Sequence, residues 1–460
     1  MIKKTVLCLL LALPLLAHAV GRSGMYQCSV ELRGYISSET GKAPNAYMWM
    51  PDGCDTVRAV VFAQMNMTEE MIFKMPAFQQ RMQELKTALV WLAPSLSTSW
   101  DPATGCQKVF EEMMAGLASQ CGHREVATVP IVPLGHSAHA TFPWNFAAWN
   151  PDRTLCIISF HGDAPRTNLC GYGTANVEWG RTRNIDGIPG LMIEGEYEWW
   201  EGRVRPALAF RMMYPESCVS FLCDAGSGHF ECMPETAEYI ALFIRKSMEQ
   251  RLQPDGTLRR IDPRRGWLAC RYNPDLAPND GDGAQTDVFS ISRRPQPAPY
   301  TAYKGDAHDA FWYHDEEMAR LTELRYRETH GKQQQYVGFE VGGELVQYDP
   351  KAQGGMCIQF ERAATGALTM QLRAVYTDAT HGQLSQQHAQ NTPHIEVITG
   401  PAHKINDTTF EIYPYEAGMD NPRRSFTVWL CAIGDGDKHY KRAVQPIEIR
   451  LPKNILEQLR

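Results

Sequence analysis

The feature that most constrains the fold is an alternation of short apolar runs with helical patterns between about residues 25 and 250. The runs "RAVVFAQ", "TALVWLAP", "ATVPIVPLG", "TLCIISFHG", "IPGLMIEGE" and "SCVSFLCDAG" are continuously apolar, which is typical of strands buried on both faces of a parallel sheet. The earlier runs "MYQCSVEL" and "NAYMWMP" predict an opening antiparallel pair. Between the runs, "QKVFEEMMAGLASQCG" and "PETAEYIALFIRKSMEQRL" place their apolar residues on one helix face. The alternation predicts an α/β fold with a mostly parallel sheet covered by helices on both faces.

The amino-acid composition of the chain changes after residue 250. Segments rich in Pro, Gly and Asp come first, and "DAFWYHDEEMARLTELRYRETHG" then predicts one helix. From residue 336, short alternating runs separated by turn residues predict a C-terminal β-sandwich of immunoglobulin type. We therefore predict a signal peptide (1–19), an α/β catalytic domain (20–262), a connector with a helix (263–335) and a β-sandwich without catalytic residues (336–460).

The N-terminus has the pattern of a secretory signal. Lys3 and Lys4 precede an apolar core, and Ala17-His18-Ala19 forms a small-residue cleavage site. The apolar stretch is too short for a membrane span, and we expect no transmembrane segment elsewhere. An exported, periplasmic or extracellular protein is therefore expected. The pairing of its cysteines cannot be read from their spacing.

The charge balance excludes one class of partner. The chain carries a formal net charge of −7 and shows no basic cluster interleaved with aromatic residues. Nucleic-acid binding is therefore not expected.

The pentapeptide "GHSAH" (135–139) lies between a predicted strand and a predicted helix. A G-x-S-x-G elbow projects a nucleophilic serine from such a turn and uses glycines because strand and helix approach closely there. Gly135 fits this pattern, whereas His139 stands where the second glycine is expected. The pentapeptide alone leaves two readings of Ser137 open, a nucleophile and an ordinary serine in a turn.

The order of the later elements favours the nucleophile. A carboxylate and then a histidine must follow the serine, each at the C-terminal end of a later parallel strand. "GEYEWWE" supplies Glu198 after one strand, and "DAGSGHF" supplies His229 after the next. Glu198 is the predicted acid, Glu201 its close rival, and Glu196 the next choice.

The segment from about 55 to 250 resembles the α/β-hydrolase superfamily, and in particular its exported esterases, on "GHSAH", "GEYEWWE" and "DAGSGHF". The resemblance implies a hydrolase fold and a covalent acyl-enzyme mechanism.

Such a mechanism needs two N–H donors for the oxyanion. The backbone N–H of Ala138 is one candidate. Gln64 or Met65, after the "RAVVFA" strand, would supply the other. Asn66 either orients that loop or forms an Asx turn.

Four further residues are predicted to line the substrate pocket together with Asn66: His136, Asp163, Trp199 and Trp200. Asp163 has an alternative role as a helix cap or turn residue. Trp199 and Trp200 are adjacent, so at least one is expected at a surface or cleft, where a flat ring can stack on a sugar or an aryl group. No metal or cofactor is expected.

The sequence therefore predicts an exported serine hydrolase that cleaves an acyl or methyl ester on a carbohydrate. Two other hydrolases remain open, a peptidase and a lipid esterase. The third alternative is a non-catalytic binding protein on a hydrolase scaffold, in which His139 would mark a degenerate elbow.

Overall fold

A computed structural model describes residues 25–37, 41–169, 176–180, 184–272, 295–327, 331–346, 360–362, 367–413 and 427–451. The predicted signal peptide lies outside the described residues.

An eight-stranded sheet forms the centre of the N-terminal half, in the order β1-β2-β4-β3-β5-β6-β7-β8. Its strands are β1 (Cys28–Glu31), β2 (Asn45–Trp49), β3 (Ala59–Gln64), β4 (Thr87–Ala93), β5 (Ile131–His136), β6 (Ile157–Phe160), β7 (Pro189–Gly195) and β8 (Cys218–Asp224). Strand β2 runs antiparallel to both β1 and β4, and all the other neighbours run parallel. The predicted opening pair and the mostly parallel sheet are confirmed.

Six helices accompany this sheet in the described residues: α1 (Thr68–Lys74), α2 (Pro76–Glu84), α3 (Cys106–Cys121), α4 (Phe142–Trp149), α5 (Glu201–Met213) and α6 (Pro234–Arg251). Strand β3 shows why its run is continuously apolar. Val61 and Ala63 belong to one hydrophobic cluster, whereas Val60 and Phe62 belong to a second cluster on the other face. Both faces of the sheet are therefore buried, as predicted. No helix of the described ranges combines the length and apolar character that crossing a membrane requires.

The connector segment packs into the same core. It forms β9 (Trp267–Cys270), β10 (Ala298–Pro299), β11 (Ala310–Tyr313) and α7 (Glu316–Arg327). The helix expected over 309–331 is thus shorter, because its first residues pair with β9 as a strand. The Tyr313 hydroxyl donates a hydrogen bond to the carbonyl of Phe221 in β8 at 2.7 Å. Phe311, Tyr313 and Met318 join the main hydrophobic cluster, so this segment completes the α/β core.

The C-terminal β region is the name used below for the described residues from 336 onward, which form ten strands. They are β12 (Tyr336–Val341), β13 (Glu344–Val346), β14 (Phe360–Arg362), β15 (Leu368–Gln371), β16 (Arg373–Thr377), β17 (His394–Thr399), β18 (Ala402–Asn406), β19 (Thr409–Ile412), β20 (Thr427–Gly434) and β21 (Ala443–Arg450). They form antiparallel sheets in the orders β13-β12-β16, β14-β15-β19-β18 and β17-β20-β21. A separate hydrophobic cluster lies among them. This arrangement is compatible with a β-sandwich, and its immunoglobulin type stays a prediction.

Candidate active site

Ser137 sits on a sharp turn between β5 and α4. Its φ angle is 52°, in the left-handed region that costs a non-glycine residue roughly 1–2 kcal/mol. The turn is tight, since a Cβ atom added at Gly135 would lie 2.1 Å from the carbonyl oxygen of His139. A glycine is therefore required at position 135, two residues before the serine. The backbone at Ser137 has the strain of a nucleophile elbow.

The same geometry explains why a histidine can replace the second glycine. The close approach between the elbow and the end of β6 is made by Ala140, because a Cβ atom at Gly162 would lie 1.8 Å from the Ala140 Cβ. The side chain of His139 is instead buried, with its Nδ1 atom 3.9 Å from Glu69 Oε1. The small residue that this close approach requires is therefore Ala140, one position after His139.

The structure brings the three predicted triad residues together. The hydroxyl of Ser137 donates to His229 Nε2 at an Oγ–Nε2 distance of 2.7 Å, and His229 Nδ1–H donates to Glu198 Oε2. Ser137 follows β5, Glu198 follows β7 and His229 follows β8. Parallel strands end at one edge of the sheet, so three residues far apart in sequence meet there.

Glu198 is placed to act as a charged partner of the histidine. Its Oε1 atom accepts the N–H of Gly195 at 3.3 Å, and its Oε2 atom lies 3.2 Å from Arg203 Nη1. Burial alone would raise the pKa of this carboxyl, but the hydrogen bond from His229 and the charges of His161 and Arg203 hold it below its ordinary value. The carboxylate therefore stays ionised where a histidine cation would need stabilising.

The neighbouring glutamates have other partners. Glu201 pairs with Arg271 at 2.5 Å and with Arg205 at 3.1 Å. Glu194 is fully buried, and its burial together with the nearby Glu198 charge raises its pKa to about 9. Of these acids, Glu198 is the one that contacts His229.

Two buried histidines hold the backbone of the catalytic histidine. His136 Nε2 and His161 Nδ1 donate to the carbonyl oxygen of His229 at 2.7 and 2.9 Å. Asn66 Nδ2 donates to the carbonyl of His136 at 2.7 Å and lies 3.4 Å from His136 Nδ1. Asn66 thus ties the loop after β3 to the elbow, which favours the orienting role over the Asx turn.

Nitrogen atoms of His136, His161 and His229 lie within 4.8 Å of one another, a spacing that a metal ion can bridge. The hydrogen bonds of these nitrogen atoms indicate a role other than metal binding. Two of the rings donate to one carbonyl, and the third has both nitrogens engaged by Ser137 and Glu198. The cluster is therefore better described as support for the triad.

His161 is fully buried, and its Nδ1 atom lies 3.6 Å from Glu198 Oε1. Burial alone would lower its pKa, but Asp224 and Glu198 raise it to about 9. Asp224 is fully buried and pairs with Arg325 of α7 at 2.5 Å. His161 itself directly follows β6. Its role depends on partners from distant segments.

We expect His161→Asn to lower stability in a pH-dependent way. Asparagine tolerates the positive φ of 46° at this position and can donate an N–H, but it cannot carry the charge. Because the pKa of His161 is raised from 6.5 to about 9, the charge contributes stability that is complete below pH 6.5 and is lost as pH rises through 9. A change of this size corresponds to about 3 kcal/mol.

Urea unfolding of both proteins at about pH 6, 8 and 10 tests this expectation. The difference in unfolding free energy between wild type and His161→Asn should shrink as pH rises. Titrating groups that do not interact with His161 are common to both proteins and cancel. Glu194 is replaced by Gln in both proteins, because its pKa of about 9 depends in part on the charge of His161. A difference that stays constant over this range would contradict a charged His161.

The structure corrects the predicted donors of the oxyanion hole. The N–H of Met65 donates to the carbonyl of Leu92 at 2.7 Å, because the β3–β4 pairing continues one residue beyond Gln64. The side chain of Gln64 is buried and bonded to Leu96 and Ser97. The Met65 N–H and the Gln64 side chain are therefore engaged elsewhere, and Ala138, directly after Ser137, stays a candidate donor.

Glu69 is a residue near this loop that the sequence did not reveal. Its buried carboxylate accepts the N–H groups of His136 and Met67, both at 2.9 Å. Burial raises its pKa to about 7, and these backbone hydrogen bonds act in the opposite direction. The side chain joins the elbow to the loop after β3.

The predicted pocket residues divide into two groups. His136 and Asp163 are fully buried, so the prediction that they line a pocket is wrong for this structure. Asp163 accepts from Thr141 at 3.2 Å, and its carbonyl accepts from Trp144 at 2.7 Å, so it joins the segment after β6 to the start of α4. Trp199 is half-buried against Phe221, whereas Trp200 is 46% exposed.

A cavity of about 920 Å³ lies away from the triad, between α1, the start of α6 and the C-terminal β region. Its lining includes Met71, Met233 and His394 but neither Ser137 nor His229. Charged side chains along it pair with one another, as in Lys404 with Glu396 at 2.7 Å. It is not the site where Ser137 would meet a substrate.

Comparison with known proteins gives a likeness to solved structures only. No family model and no curated protein matches the chain. The fluorophosphonate-binding serine hydrolase F of Staphylococcus aureus is 12% identical, with 48% of this chain and 97% of that chain covered and a TM-score of 0.33. Est1E from Butyrivibrio proteoclasticus is 14% identical over 48% of this chain and 99% of that one, with a TM-score of 0.31. An S-formylglutathione hydrolase from Agrobacterium tumefaciens is 13% identical over 48% and 94%, with a TM-score of 0.34.

Proposed function

We propose that the chain is a serine hydrolase that cleaves carboxylic esters. The observation that carries the proposal is the continuous hydrogen-bond chain from Ser137 through His229 to Glu198, with the serine on a strained elbow. Nucleophile, base and orienting carboxylate are the three groups that acyl transfer by a serine needs.

The reaction follows from these positions. Ser137 Oγ attacks the ester carbonyl while His229 Nε2 takes its proton, and Ala138 N–H faces the developing oxyanion. The C–O bond to the alcohol breaks, and the histidine returns the proton to the leaving oxygen. Water then attacks the acyl-serine by the same route, which releases the acid and restores the serine. Glu198 stabilises the histidine cation in both halves.

The substrate class that we propose is an acyl or methyl ester on a carbohydrate. Trp200 supports it, because its exposed ring follows Glu198 by two residues and lies 5.1 Å from the guanidinium of Arg203, which also contacts Glu198. An exposed aromatic ring close in sequence to the triad acid can pack on the apolar face of a sugar ring. The N-terminal sequence pattern supports action outside the cytoplasm.

A fluorophosphonate probe followed by a substrate panel tests the proposal. The probe should label the full-length chain at Ser137, as identified by peptide mass spectrometry. The panel compares a small aryl acetate with acetylated, methyl-esterified and feruloylated glycans, long-chain lipid esters and peptides. Turnover of lipid esters or peptides alone would contradict the carbohydrate ester as the substrate class. Absence of both labelling and turnover would favour a binding protein.

We expect Trp200→Ala to separate the glycan from the small ester. Loss of one stacking face is worth roughly 0.5–1.5 kcal/mol, or up to about tenfold in kcat/KM for the glycan ester. The aryl acetate should be hydrolysed at nearly the wild-type rate. Met213→Ala, which removes an exposed apolar side chain at the far end of α5, is the matched control. Equal losses on both substrates would contradict a sugar-stacking role.

A further inference from the structure

We propose that Lys441 of the C-terminal β region is a positioning residue for the triad, acting through Glu196. This inference rests on the proposed function. It assigns the C-terminal β region a part in catalysis beyond packing beside the α/β core.

The C-terminal β region touches the loop that carries the catalytic histidine. Phe230 follows His229 directly, and its ring packs on Trp429 of β20 with centroids 5.0 Å apart. Around this pair, Met71 and Met233 of the α/β core share one hydrophobic cluster with residues of β17 and β20, namely Ile398, Cys431 and Ile433. The histidine loop is therefore held from the C-terminal side by apolar packing.

Glu196 connects this region to both catalytic loops. It precedes Glu198 by two residues, and its side chain is 5% exposed. One carboxylate oxygen accepts the N–H of Gly226, three residues before His229, at 2.9 Å. The other oxygen accepts from Lys441 Nζ at 2.8 Å. A single carboxylate thus joins the acid loop, the histidine loop and the C-terminal β region.

Tyr197 and Arg442, which follow Glu196 and Lys441 in the chain, form a second contact between the acid loop and the C-terminal β region. Tyr197 donates its N–H to the carbonyl of Ser227 at 2.9 Å and its hydroxyl to the carbonyl of Arg442. Arg442 in turn pairs with Glu235 at the start of α6 at 3.0 Å. Two consecutive residues of the acid loop therefore contact two consecutive residues of the C-terminal β region.

This arrangement makes the triad sensitive to Lys441. Removing the ammonium group leaves the buried Glu196 charge without its ion-pair partner, which favours movement of the carboxylate toward water. The hydrogen bond to Gly226 would then weaken, and the distance between the Glu198 and His229 loops would no longer be fixed. A displacement of about 1 Å at a reacting group can cost about a hundredfold in rate.

The experiment compares full-length Lys441→Met, Lys441→Arg and the control Lys438→Met, whose lysine is exposed three residues away. We expect Lys441→Met to lower kcat on an aryl acetate by about tenfold to a hundredfold with KM within about twofold. Lys441→Arg, which keeps a donor and the charge, should restore most of the rate. Lys438→Met should behave as wild type.

A double variant distinguishes a loss of positioning from a folding defect. Glu196→Ala/Lys441→Met removes both charges together with the acceptor of the Gly226 N–H and leaves no buried unpaired carboxylate, so it should fold while kcat stays low. Wild-type kcat in a folded Lys441→Met, or in the folded double variant, would overturn the positioning role. So would equal losses in Lys441→Met and Lys438→Met. A wild-type chain that neither labels nor hydrolyses esters would instead refute the proposed function, and this inference with it.

Discussion

Replacing Ser137 with alanine is expected to abolish ester hydrolysis, with a loss of about 10⁵–10⁶ in kcat. The substitution removes the only atom that forms the acyl bond and leaves His229 and Glu198 in place. Folding should be retained, because the hydroxyl points to His229 and the backbone strain at this turn is the same for serine and alanine. Turnover of an aryl acetate is measured beside thermal unfolding, with the Tm expected within about 4 °C of wild type.

Ser99→Ala is the matched control for this variant, since Ser99 is also half-buried. It should keep both turnover and fluorophosphonate labelling, whereas Ser137→Ala should lose both. Normal turnover in a folded Ser137→Ala protein would rule out the nucleophile and with it the proposed mechanism. Retained labelling at another serine would place the site elsewhere.

The sheet could be predicted because its strands carry the pattern on their own. In β3, consecutive residues enter the hydrophobic clusters on opposite faces, so burial alone requires a continuous apolar run. The relative positions of Ser137, Glu198 and His229 followed from the chain order of parallel strands, which end at one edge. These inferences need no knowledge of side-chain packing.

The connector was harder to read because its contacts are with distant segments. Arg325 is a polar residue on an ordinary helical pattern, yet it pairs with Asp224 some hundred positions earlier. Its neighbour Tyr326 is buried against the same core. Local periodicity cannot tell a helix that completes another domain's core from a helix in a linker.

The prediction for Met65 failed because the strand pairing continues one residue further than expected. The bond from Met65 to Leu92 extends the β3–β4 ladder past the predicted strand end, and strand ends are the least certain part of any prediction from a sequence. His139 is a case in which an unusual residue in the sequence does not change the structure. The sequence departs from the glycine pattern, but the tight contact lies at Ala140 and Gly162, so the elbow is unaffected.

Glu198→Gln is expected to give the second largest loss, about 10²–10⁴ in kcat by the behaviour of triad acids. Glutamine keeps the volume but cannot offset the charge that His229 gains when it takes the serine proton. The histidine tautomer that presents Nε2 to Ser137 is also no longer favoured. The loss should appear in kcat with little change in KM, because the carboxylate faces the histidine and not the substrate.

The same change at two neighbouring acids distinguishes the triad acid from its surroundings. Glu201→Gln should remain active, because Glu201 is engaged by Arg271 and Arg205. Glu194→Gln should remain active too, because a carboxyl whose pKa is raised to about 9 is already uncharged at neutral pH. Steady-state kinetics on one aryl acetate compare all three variants. Loss in Glu201→Gln alone would transfer the role to Glu201. Equal loss in Glu198→Gln and Glu201→Gln would mean that the total charge of this loop matters, not the contact with His229, and loss in Glu194→Gln would contradict an uncharged Glu194.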